Sequence, residues 1–124
     1  MIEGIGVDVV EIGRMQKTIE AWGNTFLGKV FTDAEISYAG SKKHPVQHIA
    51  ARFAVKEAVA KALATGWNGG FRWKDVEVIN DVSGRPSVNV SGNVRKLLRS
   101  ARILISISHS ESIVVACAVI EKPD

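Results

Sequence analysis

Two carboxylate side chains stand among apolar or small residues, where each of them could bind a cation. Asp8 follows an apolar segment and lies between two valines, which is a costly place for an unpaired charge. Glu57 belongs to a segment, residues 50–64, that contains seven alanines, and on a helical wheel it falls next to Phe53. Oxygen ligands of this kind suit magnesium or manganese, whereas no histidine or cysteine cluster has the spacing of a zinc site.

Both carboxylates also have a structural interpretation, and the sequence leaves the choice open. Aspartate is a favoured N-cap, so Asp8 could instead cap a following helix. Glu57 could form an ion pair with Lys61, which follows it by four residues in the favourable order. Replacement of Asp8 by alanine separates the alternatives. Loss of a cap costs about 1 kcal/mol of stability, whereas loss of a metal ligand abolishes turnover in a protein that still folds.

A third group of polar residues lies at the end of a predicted strand. Ser106 and Ser108 share one face of that strand, and His109 follows at its end, where binding residues often lie. His109 could equally be a hydrogen-bonded structural histidine. No acidic partner for it can be placed from spacing, so the sequence does not predict a serine-protease-like triad.

The elements that position the two carboxylates are a strand and a long helix. Residues 2–10 predict the strand. Residues 9–22 carry apolar side chains at intervals of three and four, which predicts a helix that ends at Gly23. Residues 45–65 predict the longer helix, with a proline in its first turn and Gly66 after its end.

The remaining elements complete an α+β pattern. Thr32 and Glu35 form a capping box that predicts a short helix. Further strands are predicted at residues 73–79, 86–90, 103–108 and 113–121, and a further helix at residues 93–100. Residues 80–84 are predicted to form a turn. The last two strands are apolar and rich in β-branched residues, which predicts that both are central strands of the sheet. We expect an antiparallel sheet with helices on one side.

Composition limits the function. The chain has 124 residues, which predicts a single domain over residues 1–124. A net charge of +3 suits an anionic ligand or an acidic partner but is modest for a nucleic-acid binder, so no nucleic acid is expected. The single cysteine, Cys117, fits a buried thiol in a cytoplasmic protein. No membrane span and no secretion signal are predicted.

Four segments occur in an order that resembles one enzyme family. They are residues 4–12 (GIGVDVVEI), 52–62 (RFAVKEAVAKA), 80–86 (NDVSGRP) and 106–110 (SISHS). Over residues 2–121 the chain is similar to the holo-[acyl-carrier-protein] synthases, the short group of 4′-phosphopantetheinyl transferases. The resemblance implies the fold of these transferases, an antiparallel sheet packed against helices.

The resemblance also implies a reaction. Members transfer 4′-phosphopantetheine from coenzyme A to a serine hydroxyl of apo acyl carrier protein, a step that supports fatty acid biosynthesis, and release adenosine 3′,5′-bisphosphate. By resemblance, Asp8 and Glu57 hold magnesium, or manganese, and Lys61 contacts a phosphate group. Positioning and charge neutralisation supply most of the catalysis in such a transfer. The base that takes the serine proton could be a metal-bound water, Asp8 or Glu57.

Further residues are assigned to the two substrates by the same resemblance. Those expected to contact coenzyme A are Arg52, Lys56, Lys61, Gly84, Arg85, Pro86, Ser108 and His109. An ordinary hairpin turn is the alternative for residues 84–86. Arg14, Met15 and Lys17, on the first predicted helix, are expected to dock the acidic carrier, with Arg14 as the main charge anchor. A solvated helix face is the alternative for them.

The family implies a homotrimer with each active site at the junction of two subunits. Two other functions remain open at this point. One is a domain that binds coenzyme A or a nucleotide without turnover. The other is a small trimeric interaction protein, in which Asp8 is a cap and Glu57 and Lys61 form an ordinary ion pair.

Overall fold

A computed structural model describes residues 1–64 and 70–124 of the chain. The strands of this part are β1 (Ile2–Glu11), β2 (Val76–Asn80), β3 (Pro86–Val90), β4 (Arg102–His109) and β5 (Ile113–Glu121). The helices are α1 (Ile12–Val30), α2 (Asp33–Gly40), α3 (Pro45–Leu63) and α4 (Gly92–Leu98), and a single 3₁₀ turn spans Trp73–Asp75. Each predicted strand and helix is present, and the α+β class is confirmed.

β5 is the centre of a three-stranded antiparallel sheet with the order β1-β5-β4, while β2 and β3 form a separate antiparallel hairpin. Alternate residues of β5 are buried where α3 packs on one face of the sheet. The antiparallel sheet packed against helices is therefore as predicted. The prediction that both closing strands are central is wrong for β4, because in the described part of the chain β4 pairs with β5 alone.

β1 and α1 meet at a different residue from the one predicted. β1 stays paired with β5 as far as Glu11, so α1 begins only at Ile12. Asp8 therefore lies inside the strand, and its interpretation as an N-cap is wrong. Gly23 adopts a positive φ of 52°, which kinks α1 but does not end it, and the helix resumes as far as Val30.

Two glycines allow β1 to lie directly on α3. A Cβ atom at Gly4 would be 2.0 Å from Ala62 O, and one at Gly6 would be 2.0 Å from Ala58 O. Only hydrogen fits at either position, and the small alanines of α3 permit the same close approach from the other side. This contact fixes the position of Asp8, two residues beyond Gly6, relative to the functional face of α3.

A fully buried ion pair connects α2 and α3. Glu35 completes the predicted capping box with Thr32, and its Oε1 lies 2.8 Å from Lys56 Nζ. Lys56 Nζ also donates to the carbonyl oxygens of Trp73 and Val76. The pKa of Lys56 is lowered because burial outweighs the attraction of Glu35. The Lys56 ammonium group thus has three partners, one carboxylate and two carbonyl oxygens, which compensate for its burial. These contacts hold α3 against the start of β2.

The other differences concern element ends. The strand that was predicted to begin at residue 73 begins only at Val76, because residues 73–75 form the 3₁₀ turn. α3 ends at Leu63, followed by Ala64 with a positive φ of 60°, and the predicted stop at Gly66 lies outside the described residues. None of the helices in residues 1–64 and 70–124 has the length and apolarity that a membrane span requires.

Candidate active site

β1, α1 and α3 surround an open cleft of about 400 Å³ that contains the three residues predicted to be catalytic. Asp8 enters it from β1, and Glu57 and Lys61 enter it from consecutive turns of α3. The other lining residues are Val9, Val10, Glu11, Arg14, Met15, Thr18, Phe26 and Phe53. We call this site the carboxylate cleft. Residues 49 positions apart in sequence meet here because β1 packs on α3.

Lys61 connects α3 to β1 at the mouth of the carboxylate cleft. Its Nζ donates to Asp8 Oδ1 at 3.1 Å and to Val7 O at 3.0 Å. The Asp8 side chain is only 17% exposed, whereas that of Lys61 is 53% exposed. Of the two alternatives for Glu57, the ion pair with Lys61 is not the one formed, because Lys61 pairs with Asp8 among the described residues.

Glu57 is the carboxylate that the fold makes harder to ionise. Burial raises its pKa, and the negative charge of Asp8 raises it further, while Lys61 opposes both effects. A partly buried carboxylate beside a second negative charge forms a site where a cation is stabilising. The electrostatics therefore favour a positively charged ligand between Asp8 and Glu57.

The donors of the carboxylate cleft fit a hard divalent ion. Magnesium is commonly held by one or two carboxylates and takes its other ligands from water and substrate phosphate. Asp8 and Glu57 match that pattern. In the described part of the chain, no three or more histidine, cysteine or acidic side chains form a metal-binding group by themselves.

The residues expected to dock a carrier separate into two sets. The Arg14 side chain is 80% exposed at the rim of the carboxylate cleft, with Nη1 3.9 Å from Glu11 Oε1. Lys17 is also exposed on α1. Met15 is only 5% exposed and belongs to the core. Met15 lies on the apolar face of α1 and contributes to the wall of the cleft, and its role in docking the carrier stays a prediction.

A second cavity, of about 190 Å³, lies between α3, the turn after β2 and the end of β4. The residues predicted for coenzyme A that line it are Arg52, Gly84, Pro86 and His109. Arg52 Nη2 donates to Asn80 Oδ1 at 2.7 Å, and Asn80 Nδ2 donates to the Gly84 carbonyl at 3.0 Å. These bonds hold the turn against α3. We call this site the histidine cavity, because His48 and His109 both line it.

Besides Lys61, which lines the carboxylate cleft, three residues predicted for coenzyme A are not part of the histidine cavity. Lys56 has no exposed surface, so the expected contact with coenzyme A is wrong, and its ammonium group serves the buried ion pair. Arg85 lines a different cavity, between β3 and β4. Ser108 is exposed on the opposite face of β4 from Ile107, which lines the histidine cavity.

Sequence reasoning missed His48. It lies one turn before Arg52 on α3, and both side chains line the histidine cavity. The spacing of four residues was the available signal, because such residues share a helix face. This spacing was a weak signal, because the cavity also needs β4 opposite His48 and Arg52, and β4 is distant from α3 in the sequence.

Comparison with known proteins identifies the family. The family model of the 4′-phosphopantetheinyl transferase superfamily matches residues 4–118. The chain is 47% identical over 119 residues to a holo-[acyl-carrier-protein] synthase from Protochlamydia amoebophila, which covers 96% of this chain and 98% of the relative.

Solved structures agree with the sequence comparison. A crystal structure of holo-[acyl-carrier-protein] synthase from Neisseria meningitidis matches with a TM-score of 0.90 and 34% identity, over 98% of this chain and 100% of that one. A structure of the synthase from Bacillus anthracis, in complex with CoA (3′,5′-ADP), matches with a TM-score of 0.83 and 34% identity, over 99% of each chain. The chain therefore belongs to the 4′-phosphopantetheinyl transferase superfamily and, within it, to the group of the holo-[acyl-carrier-protein] synthases. This confirms the resemblance seen in the sequence and the enzyme class it implied.

Proposed function

We propose that this protein transfers 4′-phosphopantetheine from coenzyme A to a serine hydroxyl of apo acyl carrier protein and releases adenosine 3′,5′-bisphosphate. The observation that carries the proposal is the placement of Asp8, Glu57 and Lys61 in one cleft. The structural relative from Bacillus anthracis binds CoA (3′,5′-ADP), which supports coenzyme A as the substrate here. A role in fatty acid biosynthesis and a cytoplasmic location stay predictions.

In this proposal the carboxylate cleft holds the reacting phosphates. Asp8 and Glu57 would hold magnesium, or manganese, which when bound supplies positive charge to the pyrophosphate of coenzyme A. Lys61 Nζ, already 3.1 Å from Asp8 Oδ1, would donate to a phosphate oxygen as a compact cation. Burial and the negative charge of Asp8 raise the pKa of Glu57, so a cation at this position would stabilise its ionised form.

The histidine cavity would receive the nucleotide end of coenzyme A. Arg52 and His109 supply positive charge or hydrogen-bond donors, and the backbone at Gly84 and Pro86 forms the opposite wall. α3 contributes to both sites, and Arg52 lies about 7.5 Å along the helix axis from Glu57. One extended substrate can therefore reach the two sites together.

The exposed charges of α1 suit an acidic carrier. We propose that Arg14 and Lys17 dock it, since Arg14 lies at the rim of the carboxylate cleft and both side chains are exposed. Contacts between exposed charges steer association and weaken with salt. The carrier serine would then approach the cleft from the side of α1.

A homotrimer with active sites at subunit junctions is part of the same proposal. The outer face of β1 exposes Ile5 (68%), Val7 (54%) and Val9 (57%), and β4 exposes Leu104 (44%) on the same face of the sheet, on the other side of β5. A contiguous apolar face of this kind favours association. Arg85 and Ser108 do not line the histidine cavity of their own chain, and we propose that they contact coenzyme A where a second subunit completes the site. We further propose that residues 1–124 form one transferase domain.

Intact mass spectrometry tests the function. Apo acyl carrier protein is incubated with this protein, coenzyme A and magnesium. We expect the carrier to gain about 340 Da, and the gain to disappear when a chelator is present. Binding of coenzyme A without a mass gain on several carriers would instead favour a binding domain without turnover.

A further inference from the structure

The histidine cavity contains an imidazole to which the proposed reaction gives no role. His48 lines the cavity together with Arg52 and His109. Its ring lies edge-on to that of Tyr38, with 5.7 Å between centroids and an interplanar angle of 77°. Among residues 1–64 and 70–124, the His48 ring nitrogens make no hydrogen bond. The side chain is therefore held in place through its ring while its nitrogens are left for a ligand.

The surroundings of His48 are electropositive. The groups that face it are Lys42 and His44 before α3, Arg52 within α3, His109 from β4, and the uncharged ring of Tyr38 from α2. Burial lowers the pKa of His48, and the nearby cations lower it further. The imidazole is accordingly neutral near pH 7, in a cavity whose charges attract anions.

We propose that His48 recognises a phosphate group at the nucleotide end of coenzyme A and takes up a proton when that phosphate binds. The inference rests on the proposed function, which places the nucleotide in the histidine cavity. Protonated imidazole donates from both ring nitrogens, and a hydrogen bond from a cation to phosphate is stronger than one between neutral groups. Arg52, one turn further along α3, supplies the permanent charge of the same site.

The direction of the pH dependence follows from the charges. In the free protein the pKa of His48 lies below its usual value of 6.5, and a bound phosphate raises it by attraction. Between these two pKa values, binding takes up a proton, so affinity increases as the pH falls. Below the pKa of the free protein, His48 is already charged and the gain is complete. Above the pKa of the complex, the gain is absent.

Calorimetry with adenosine 3′,5′-bisphosphate tests the inference. The wild type and His48→Gln are compared at about pH 6 and about pH 8, in two buffers of different ionisation enthalpy. Glutamine keeps a hydrogen-bond donor but does not titrate. From about pH 6 to about pH 8, we expect the affinity of the wild type to decrease roughly tenfold more than that of the variant. A tenfold change in affinity corresponds to the contribution of a modest charge-assisted hydrogen bond. We also expect proton uptake to be smaller in the variant.

The outcomes separate the inference from the proposed function. The second ionisation of the phosphate, near pH 6, affects both proteins equally and cancels in the comparison. Equal pH dependence and equal proton uptake in the two proteins would overturn the role of His48 and leave the transferase proposal intact. Absence of both binding and carrier modification by the wild type would overturn both. If His48→Gln unfolds, His48→Asn replaces it, with the same criteria.

Discussion

The contact between β1 and α3 makes Gly6 the position where one methyl group should do most damage. A Cβ atom there would lie 2.0 Å from Ala58 O and 2.8 Å from Ala62 N, and contacts below 3.0 Å require a shift. The neighbouring atoms are helix backbone, which cannot rotate away. Overpacking costs about 1–3 kcal/mol in typical cores, and we expect Gly6→Ala to fall near the upper limit.

Urea unfolding measures the loss of stability in Gly6→Ala, and carrier modification measures its loss of turnover. Because Asp8 lies two residues beyond Gly6, turnover should decrease under conditions where Gly6→Ala is still folded. Gly28→Ala is the matched control: Gly28 lies in α1 with no atom within 4 Å of a new Cβ, and alanine there should stabilise by up to about 1 kcal/mol. If Gly6→Ala unfolds like the wild type and keeps full turnover, β1 does not lie on α3 as described.

Three further changes test other parts of the account. Lys56→Met leaves Glu35 buried without its cation, so the free energy of unfolding should decrease by about 3–5 kcal/mol, whereas the exposed Lys17→Met should change it by less than about 0.5 kcal/mol; equal effects in urea unfolding would contradict the buried pair. The pKa of Glu57 is raised in the folded state, so its ionisation opposes folding, and its contribution to the stability of the metal-free protein should decrease as the pH rises from 4.5 through the pKa of the folded state. The stability of Glu57→Gln relative to the wild type should therefore increase over this range in thermal unfolding, and a difference that does not change with pH would contradict the raised pKa. Arg14→Glu should raise the apparent KM for the carrier much more than that for coenzyme A, since Arg14 lies outside the histidine cavity; equal increases would rule out a docking role.

The sequence predicts local structure well where the pattern itself determines the result. The capping box at Thr32 and the turn at residues 80–84 are present as expected, because both depend on neighbouring residues. The helix that carries Glu57 and Lys61 is also found where its proline and alanines indicate. The pairing of Asp8 with Glu57 in one site was available only through family resemblance, since spacing alone does not bring a strand to a helix.

Within the candidate site, the differences from expectation concern contacts between distant segments. Lys56 stands beside Glu57 and has an ordinary charged side chain, but it is buried because Glu35, from another helix, neutralises it. Lys61 pairs with Asp8 because β1 approaches α3 closely at Gly6, and the glycine has no side chain that could reveal this contact in advance.

The most direct test of the central claim is the activity of Asp8→Ala in the carrier-modification assay with magnesium. α1 starts at Ile12 and does not depend on Asp8 for its cap, so the variant should fold with a thermal midpoint close to that of the wild type. We predict that the mass gain of about 340 Da on the carrier is then absent, because one of two proposed metal ligands is lost. A folded Asp8→Ala protein that modifies the carrier at the wild-type rate would contradict the account.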